Sequence, residues 1–307
     1  MRPNFALAVA CVWLGTSWSR RAATTVDCDA GSAIGAALSH AQPGDTIFVS
    51  GTCKESVVIP AEMVGVTLDG RRKATIQHPG GTSSGPARHT VFIRGKGITI
   101  RGFRITGGED GVHLSGPAHA VIDGNVITQN RGRGIHLDKS SVAQIVNNSI
   151  VENGGVGIHV TEQSYARIGF LIPPDEMVRP NTIQENGGGG IQVERASSAW
   201  IVGNTIVSNK GPGIAIDRGS ETDIVANLID GNSGDAIKVS HNSGVNLQSQ
   251  GSPRREGPNR TDPAVKNGGV GVRCSIGGYV DGPLGTLMGM QGAKEFDKTC
   301  IDHLSPP

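Results

Sequence analysis

Isoleucine, valine and asparagine recur along this chain at a spacing of 23 residues, with one longer step of 33 between Ile158 and Ile191. Two columns are apolar: Val112, Ile135, Ile158, Ile191, Ile214 and Ile237, and Ile105, Ile127, Ile150, Ile183, Ile206 and Ile229. Two more are asparagine: Asn125, Asn148, Asn181, Asn204 and Asn227, and Asn130, Asn153, Asn186, Asn209 and Asn232. A period of this length indicates units that bury their apolar side only by stacking on one another.

Each repeat holds short β-branched stretches that alternate with period two and are broken by glycine and asparagine. No helical pattern intervenes, which excludes leucine-rich and helical repeats. Stacking would pair each strand with its copies at about 4.8 Å, and asparagine suits both the turns and an amide ladder between coils. Glycines mark a tight bend just before one strand of each repeat: Gly134, Gly157, Gly190 and Gly213.

The repeated motif NxIxxNxGxGI resembles the right-handed parallel β-helix proteins of the pectate-lyase-like superfamily over residues 45–246. This resemblance implies an all-β, single-stranded solenoid of about nine coils, roughly 40 Å long at the interstrand spacing. Upstream, GSAIGAALSHAQPGDTIFVSGTCKESVVI is similar to the family's N-terminal segment. There a short amphipathic helix carrying Ile34, Ala37 and Leu38 would cap the open end of the apolar column.

The N-terminal residues predict export. Arg2 precedes a short apolar run and small residues follow, as in a signal peptide, although Arg20 and Arg21 depart from a clean cleavage site. The predicted organisation is a signal peptide at 1–23, an N-terminal cap at 24–44, the β-helix at 45–246, and a loop with a C-terminal cap at 247–307. We therefore expect a secreted or periplasmic protein.

Composition narrows the possible partners. The 307-residue chain has 46 glycines and a formal net charge of +1, so an extended nucleic-acid footprint is not indicated. No apolar run reaches the roughly 18 residues of a membrane span. We also expect a monomer.

Beyond the signal, the cysteines are Cys28, Cys53, Cys274 and Cys300, without zinc-ligand spacing. Local pairing, Cys28 with Cys53 and Cys274 with Cys300, is the simplest of three connectivities.

Alternation along the strands predicts which side chains point outward. In GIHLD, Ile135 and Leu137 point inward, so His136 and Asp138 point out. Three adjacent outward columns follow: His113, His136, His159, Gln192, Ala215 and Lys238; Ser115, Asp138, Thr161, Glu194, Asp217 and Ser240; and Lys139, Glu162, Arg195, Arg218 and His241. This face carries histidines at one end and acid–base pairs at the other.

Three interpretations of the histidine column remain open: general bases, transition-metal ligands in poor tetrahedral geometry, or a polar stack propagated by duplication. We assign His136, His159 and Asp138 as candidate catalytic residues. The candidate substrate-binding residues are His113, Glu194, Arg195, Asp217, Arg218 and Lys238. Glu194 and Asp217 could instead hold Ca²⁺, form a glycosidase pair, or compensate neighbouring charges; no metal or other cofactor is otherwise assigned.

The resemblance implies a protein that binds or modifies an acidic polysaccharide, as a lyase or C5-epimerase if it is an enzyme. Such enzymes need a group that neutralises the uronate carboxylate, a base and an acid. The Asp-Pro-His signature of alginate epimerases is absent, and GEDGVHL is the nearest run. The alternative function is a non-catalytic envelope component or a periplasmic metal-delivery accessory protein.

The longer repeat contains an insertion at residues 169–180. Its apolar residues, Phe170, Leu171, Ile172 and Met177, could cover Trp200 on the next coil or form a wall that grips a substrate.

Overall fold

The computed structural model describes residues 23–81, 84–171, 177–248 and 257–305. The chain winds into a right-handed parallel β-helix of about twelve coils. Successive coils contribute strands to three parallel stacks, called sheets 1, 2 and 3 in the order in which the chain visits them. The strands of sheet 1 are Ala23–Asp27, Thr46–Ser50, Thr67–Gln77, Ile98–Thr106, His119–Asp123, Val142–Val146, Tyr165–Ile168, Ser198–Val202, Glu221–Val225, Gly244–Asn246, Tyr279–Pro283 and Ile301–Ser305.

Two long strands, Thr67–Gln77 and Ile98–Thr106, turn a corner and belong to both sheets 1 and 2. The other strands of sheet 2 are Thr52–Lys54, Val126–Thr128, Ser149–Val151, Thr182–Gln184, Thr205–Val207 and Leu228–Asp230. Sheet 3 has ten strands: Val57–Ile59, Val91–Ile93, Val112–Leu114, Ile135–Leu137, Ile158–Val160, Ile191–Val193, Ile214–Ile216, Ile237–Val239, Val272–Cys274 and Lys294–Phe296.

The coil count of nine was too low. Strands outside residues 45–246 also join the stack. Ala23–Asp27 pairs in register with Thr46–Ser50, and Tyr279–Pro283 pairs with Ile301–Ser305. These terminal coils lack the asparagine and glycine columns, so the repeat does not reveal them. The signal peptide predicted at 1–23 lies outside the described residues, except for Ala23.

Helix is almost absent from the part of the chain that the structure describes. The described residues contain one α-helical turn, Ile34–Leu38, and one 3₁₀ turn, Gly85–Arg88. Ile34 and Leu38 are buried, but five residues fall short of a developed amphipathic helix, and the capping role stays a prediction. None of the helices among the described residues has the length and apolar character needed to cross a membrane.

The apolar columns form the core, as predicted. Ile135 pairs with Val112 on one side and Ile158 on the other, and all three are fully buried. The same register continues through sheet 3 and through the isoleucines of sheet 2. Each such side chain contributes roughly 1.5–3 kcal/mol on burial, so the stacked columns are the main stabilising feature of the solenoid.

Both asparagine columns are hydrogen-bonded ladders. Asn148 donates from Nδ2 to Asn181 Oδ1 at 3.0 Å and to the carbonyl of Ile122 at 2.8 Å, while its Oδ1 accepts from Asn125 Nδ2 at 3.1 Å. The ladders run one coil further than the 23-residue repeat indicates, ending on Asn259 and Asn267. Buried amides that satisfy one another in this way fix the register of successive coils.

The glycine column before sheet 3 reflects close packing between coils. A Cβ added at Gly134 would lie 2.4 Å from Ile150 Cγ2 and 2.6 Å from the carbonyl oxygen of Gly157. Gly134 is not among the residues with positive φ. The position therefore needs glycine for space, because the next coil leaves no room for a side chain.

Two disulfides tie the ends of the solenoid: Cys28 to Cys53 and Cys274 to Cys300. This is the local pairing that the sequence favoured. In the insertion, Phe170 stacks on Trp200 with ring centroids 5.8 Å apart. The role of the insertion, as local cover or as a wall that grips a substrate, stays a prediction. Met177 is 53% exposed, and Ile172 lies outside the described residues.

Candidate functional site

The predicted histidine column is present on the outer side of sheet 3. His113, His136 and His159 pair in register on three successive strands. Their rings stack, with centroids 4.3 Å apart between His113 and His136 and 5.1 Å apart between His136 and His159. Phe92, one coil earlier, packs edge-on against His113 at 5.2 Å and ends the stack. The period-two alternation therefore located these side chains correctly.

The three rings are nearly inaccessible to solvent. The alternation along the strands predicts that they point outward but does not predict their burial. His113 is 5% exposed, His136 7% and His159 6%. Outward-pointing side chains are ordinarily half-exposed, but these rings cover one another, and carboxylates flank them. The column is therefore a partly desolvated polar cluster in which electrostatic interactions are stronger than on an open surface.

A single buried carboxylate connects several of these rings. Asp110, with a fully buried side chain, lies in the turn before the strand Val112–Leu114. Its Oδ2 accepts a hydrogen bond from His136 Nδ1 at 3.3 Å and lies 3.9 Å from His113 Nδ1. Its Oδ1 accepts from the backbone N–H of Arg133 at 3.0 Å, and the Arg133 guanidinium lies 3.6 Å away. Asp110 thus holds two histidines and an arginine around one negative charge.

A fourth histidine, His89, extends the cluster beyond His113. It is 2% exposed, and its Nε2 lies 2.9 Å from His113 Nδ1. Its Nδ1 is 3.2 Å from Asp110 Oδ2 but has no partner with hydrogen-bond geometry. Arg88 donates from Nε to His89 Nε2 at 3.1 Å. The loop before the strand Val91–Ile93 of sheet 3 therefore places a further buried imidazole against the histidine column.

Two carboxylates of the outward columns, Asp138 and Glu194, accept hydrogen bonds from the histidines. Asp138 accepts from His113 Nε2 at 3.1 Å, whereas His136 donates from Nδ1 to Asp110 Oδ2 at 3.3 Å. Glu194 accepts from His159 Nε2 at 3.1 Å and also pairs with Arg218. Each carboxylate lies on a neighbouring coil relative to its histidine, so pairing runs along the helix axis.

Burial dominates the titration of these groups. Burial lowers the pKa of His136, and repulsion from His113 adds to this effect, although the hydrogen bond to Asp110 opposes it. The pKa of His159 is lowered to about 4 by burial, then by the charges of His136 and Arg133. For Asp110, burial raises the pKa, but the contacts with His136 and His89 outweigh it and hold the pKa well below its ordinary range. At neutral pH the site therefore pairs an ionised Asp110 with the neutral imidazole of His136.

Asp138 remains ionised for a related reason. Burial raises its pKa, but hydrogen bonds from His113 and Ser115 lower it to about 2. Two buried negative charges, Asp110 and Asp138, therefore flank His113 from opposite sides.

The candidate substrate-binding residues further along form a separate chain of ion pairs. Arg218 bridges Glu194 and Asp217, and Arg195 lies 3.5 Å from Glu162. Asp217 accepts from His241 Nδ1 at 2.6 Å. Lys238 lies on the same outward column, beside Arg273 on the next strand. These groups line sheet 3 as predicted, but only Glu194 reaches the histidine cluster.

Three members of the cluster were not assigned from the sequence: His89, Asp110 and Arg133. His89 lies in a loop outside the repeat, where spacing gives no register. Asp110 and Arg133 occupy equivalent turn positions of successive coils, immediately before Gly111 and Gly134. The charged residues at this turn position could have been recognised from the sequence as part of the site. The last side chain of a turn that leads into a strand lies beside the first outward-pointing residue of that strand.

The fold and this face define the chain as a right-handed parallel β-helix whose third sheet bears a buried histidine–carboxylate cluster. The chain belongs to the family described as the right-handed β-helix region, whose model matches residues 52–170 and 89–251. No curated protein matches the sequence.

Solved structures share the fold at low identity. A pectate lyase, Pel9A, superposes with a TM-score of 0.60 and 12% identity over 92% of this chain and 78% of that one. The periplasmic alginate epimerase AlgG superposes with a TM-score of 0.56 and 15% identity, covering 86% of this chain and 71% of that one. At such identities the likeness establishes the shared fold.

Proposed function

We propose that this protein is an exported enzyme that removes the C5 proton from uronate residues of an acidic polysaccharide, with His136 as the base. The observation that carries the proposal is the hydrogen bond from His136 Nδ1 to the buried carboxylate of Asp110. Because an ionised carboxylate only accepts, the imidazole proton lies on Nδ1, and Nε2 keeps its lone pair. No hydrogen-bond partner of Nε2 occurs among the described residues.

Arg133 is suited to neutralise the uronate carboxylate. Its guanidinium lies beside Asp110 and is 35% exposed, so it reaches both the buried site and solvent. Its positive charge acts on both His136 and His159. A cation here would lower the energy of the carbanion that forms when the C5 proton leaves.

The proposed reaction has two possible outcomes after the proton moves to His136 Nε2. The electron pair at C5 either forms a C4–C5 double bond as the C4–O bond breaks and the leaving oxygen takes a proton from water, or it accepts a proton from water on the opposite face. The first outcome is lyase chemistry and the second is C5 epimerisation. Arg195, Arg218 and Lys238 lie further along sheet 3, where their positive charges could align a polyanionic chain, and Glu194 and Asp217 position the Arg218 guanidinium.

Export fits the two disulfides, which persist in oxidising compartments. The solved structures that share the fold include a pectate lyase and an alginate epimerase, which supports a uronate polymer as the substrate. We also propose, from the sequence, that the protein is a monomer and carries a signal peptide.

The test is incubation of the purified protein with alginate and polygalacturonate in D₂O. A lyase produces an unsaturated uronate that absorbs in the ultraviolet, and an epimerase exchanges the C5 hydrogen for deuterium, which proton NMR detects. His136→Gln should reduce either signal roughly 10²–10⁴-fold, the usual contribution of a general base. His241→Gln, which removes a half-exposed histidine of the same sheet, is the matched control. Absence of both signals on every uronate polymer would refute the proposal.

A further inference from the structure

Two ring nitrogens of the cluster face each other at the end of the histidine column. His89 Nε2 and His113 Nδ1 are 2.9 Å apart, and the two rings meet at 84°. Both residues are more than nine-tenths buried. A neutral imidazole has one N–H and one lone pair, so the protonation of the two opposite nitrogens decides what these two present.

The opposite nitrogens both face carboxylates. His113 Nε2 donates to Asp138 Oδ2 at 3.1 Å, and His89 Nδ1 lies 3.2 Å from Asp110 Oδ2. In the pair of tautomers that places the N–H of His113 on Nε2 and that of His89 on Nδ1, the lone pairs of His89 Nε2 and His113 Nδ1 point at each other. Two lone pairs at this separation repel unless a cation lies between or beside them, and the Arg88 guanidinium, which donates from Nε to His89 Nε2 at 3.1 Å, is such a cation. A metal ion held by both nitrogens would stabilise the same arrangement.

We propose that His89, His113 and Asp110 bind a divalent transition-metal ion of the zinc type, through His89 Nε2, His113 Nδ1 and the Asp110 carboxylate. Ligand atoms from these three residues all lie within 4.8 Å of one another. The proposed site lies at the end of the histidine column, next to the Asp110–His136 pair, and goes beyond the proposed lyase or epimerase activity.

The distances suit such an ion. Zinc binds imidazole nitrogen at about 2.0–2.1 Å, so two ligand atoms lie about 2.9 Å apart at a right angle and about 3.4 Å apart at the tetrahedral angle. The two nitrogens are 2.9 Å apart, and Asp110 Oδ2 is 3.9 Å from His113 Nδ1. The distance from Asp110 Oδ2 to His113 Nδ1 is about half an ångström longer than the tetrahedral value, and a three-ligand site would leave a position open for water or substrate.

The surroundings already have the pattern of a metal site. Histidines that bind metals commonly donate their other N–H to a carboxylate, which orients the ring and makes it a stronger ligand. Asp138 fills this role for His113. Asp110 lies against the second nitrogen of His89 as well as near His113 Nδ1, so its charge can serve both rings.

Arg88 is the competitor for this site. Its Nε donates to His89 Nε2 at 3.1 Å, which occupies the lone pair that a metal would need. Arg88 is exposed at the end of the 3₁₀ turn Gly85–Arg88, so its side chain can move away without disturbing the solenoid. A metal ion must therefore displace this guanidinium, and removing Arg88 should strengthen binding.

Other histidine or cysteine groups suit a metal less well. His113, His136 and Asp138 also bring ligand atoms within 4.8 Å of one another, but Asp138 already accepts from His113 Nε2. The rings of His113, His136 and His159 are stacked at interplanar angles of 25° and 6°, so their nitrogens lie side by side. This geometry disfavours the metal interpretation of that column alone. Cys28, Cys53 and Glu55 are also close together, but both sulfurs are used in a disulfide.

The experiment measures metal binding without substrate, so its outcome is independent of the proposed activity. Tag-free protein is stripped with a chelator and titrated with Zn²⁺ by calorimetry, and with Co²⁺ by visible absorption, which reports the coordination geometry. We expect one ion per chain. His89→Ala should abolish binding, Asp138→Asn should weaken it roughly 10–100-fold as an orienting partner, and Arg88→Ala should strengthen it. His241→Ala, which removes an exposed histidine paired with Asp217, should leave it unchanged.

Failure to bind either ion would overturn the proposal, as would binding that His89→Ala leaves intact or that His241→Ala abolishes. If His89→Ala does not fold by circular dichroism, Arg88→Ala decides the question. Unchanged or weaker affinity in Arg88→Ala would then refute the site, because the structure makes this side chain the direct competitor.

Discussion

Asp110 and His136 are joined across successive coils by a hydrogen bond of 3.3 Å, from His136 Nδ1 to a carboxylate that is fully buried. The two residues are 26 positions apart, slightly more than one repeat, so the contact exists only because the coils stack in register. The pair fixes the imidazole tautomer and leaves Nε2 as the basic atom. This relationship separates the site from a simple stack of polar rings.

Replacing Asp110 by asparagine should reduce proton abstraction by roughly 10²–10⁴-fold with little change in KM. The amide keeps the shape of the carboxylate but loses its charge, so it no longer favours the Nδ1–H tautomer of His136. The measurement is kcat and KM for the C5 exchange reaction in chelator-treated protein. Asp110 is a positioning residue in this argument, and unchanged kcat in a folded variant would contradict it.

Stability should rise with pH between about 4 and 6.5 because of His159. Its pKa is about 4 in the folded protein and 6.5 in the unfolded chain. Between these values the unfolded chain binds more protons, so the free energy of unfolding increases with pH and levels off above 6.5. Burial is the main cause of the lowered pKa; the charges of His136 and Arg133 add to it, and Glu194 opposes it.

The measurement is urea unfolding at several pH values in the presence of a chelator. His89 and His136 have lowered pKa values and act in the same direction, so His159→Gln should make the slope shallower without abolishing it. One proton accounts for at most about 1.4 kcal/mol per pH unit. An unchanged slope in His159→Gln would show that this imidazole does not titrate as expected.

The sequence predicted the solenoid and the ladder because both depend on exact repetition. His113, His136 and His159 occupy one column of the 23-residue repeat, and alternation alone places them on one face. Repetition also explains the error in coil number. The coils at Ala23–Asp27 and Ile301–Ser305 carry no asparagine or glycine columns, so only the structure shows that they stack.

The partners of the histidines were harder to predict. His89 comes from an irregular loop, and Asp110 reaches His136 across coils from a turn, so neither contact follows from alternation within one strand. Burial of the rings was missed for the same reason, since it depends on neighbours from three coils. The repeat therefore identifies which residues share a face. The pairing between columns depends on how the coils stack in three dimensions.

Gly134→Ala should destabilise the solenoid by about 1–3 kcal/mol, the usual cost of overpacking. The new methyl group would meet the next coil's carbonyl oxygen at 2.6 Å, which backbone cannot easily avoid. Gly244→Ala is the matched control, because its nearest neighbour would be Glu221 Cγ at 3.7 Å and its φ is not positive. Urea unfolding should separate the two variants clearly. Equal stability would mean that the coils can shift to accept a side chain.

The C-terminal disulfide should contribute about 2–4 kcal/mol to the free energy of unfolding. Cys274 and Cys300 close a loop with a sequence separation of 26 residues, and Cys274 is buried in the core of sheet 3 while Cys300 lies where the last coil begins. The double variant Cys274→Ser, Cys300→Ser releases that loop in the unfolded chain. It also places a hydroxyl in the apolar interior, so Cys274→Ala, Cys300→Ser is the better choice.

The measurement is urea unfolding of this double variant with and without dithiothreitol. Without reductant, the variant should lose about 2–4 kcal/mol relative to the parent protein. With reductant, the parent should fall to the stability of the reduced variant, because both then lack both cross-links. If the parent is no more stable than the variant under oxidising conditions, the last coils hold by strand pairing between Tyr279–Pro283 and Ile301–Ser305 alone.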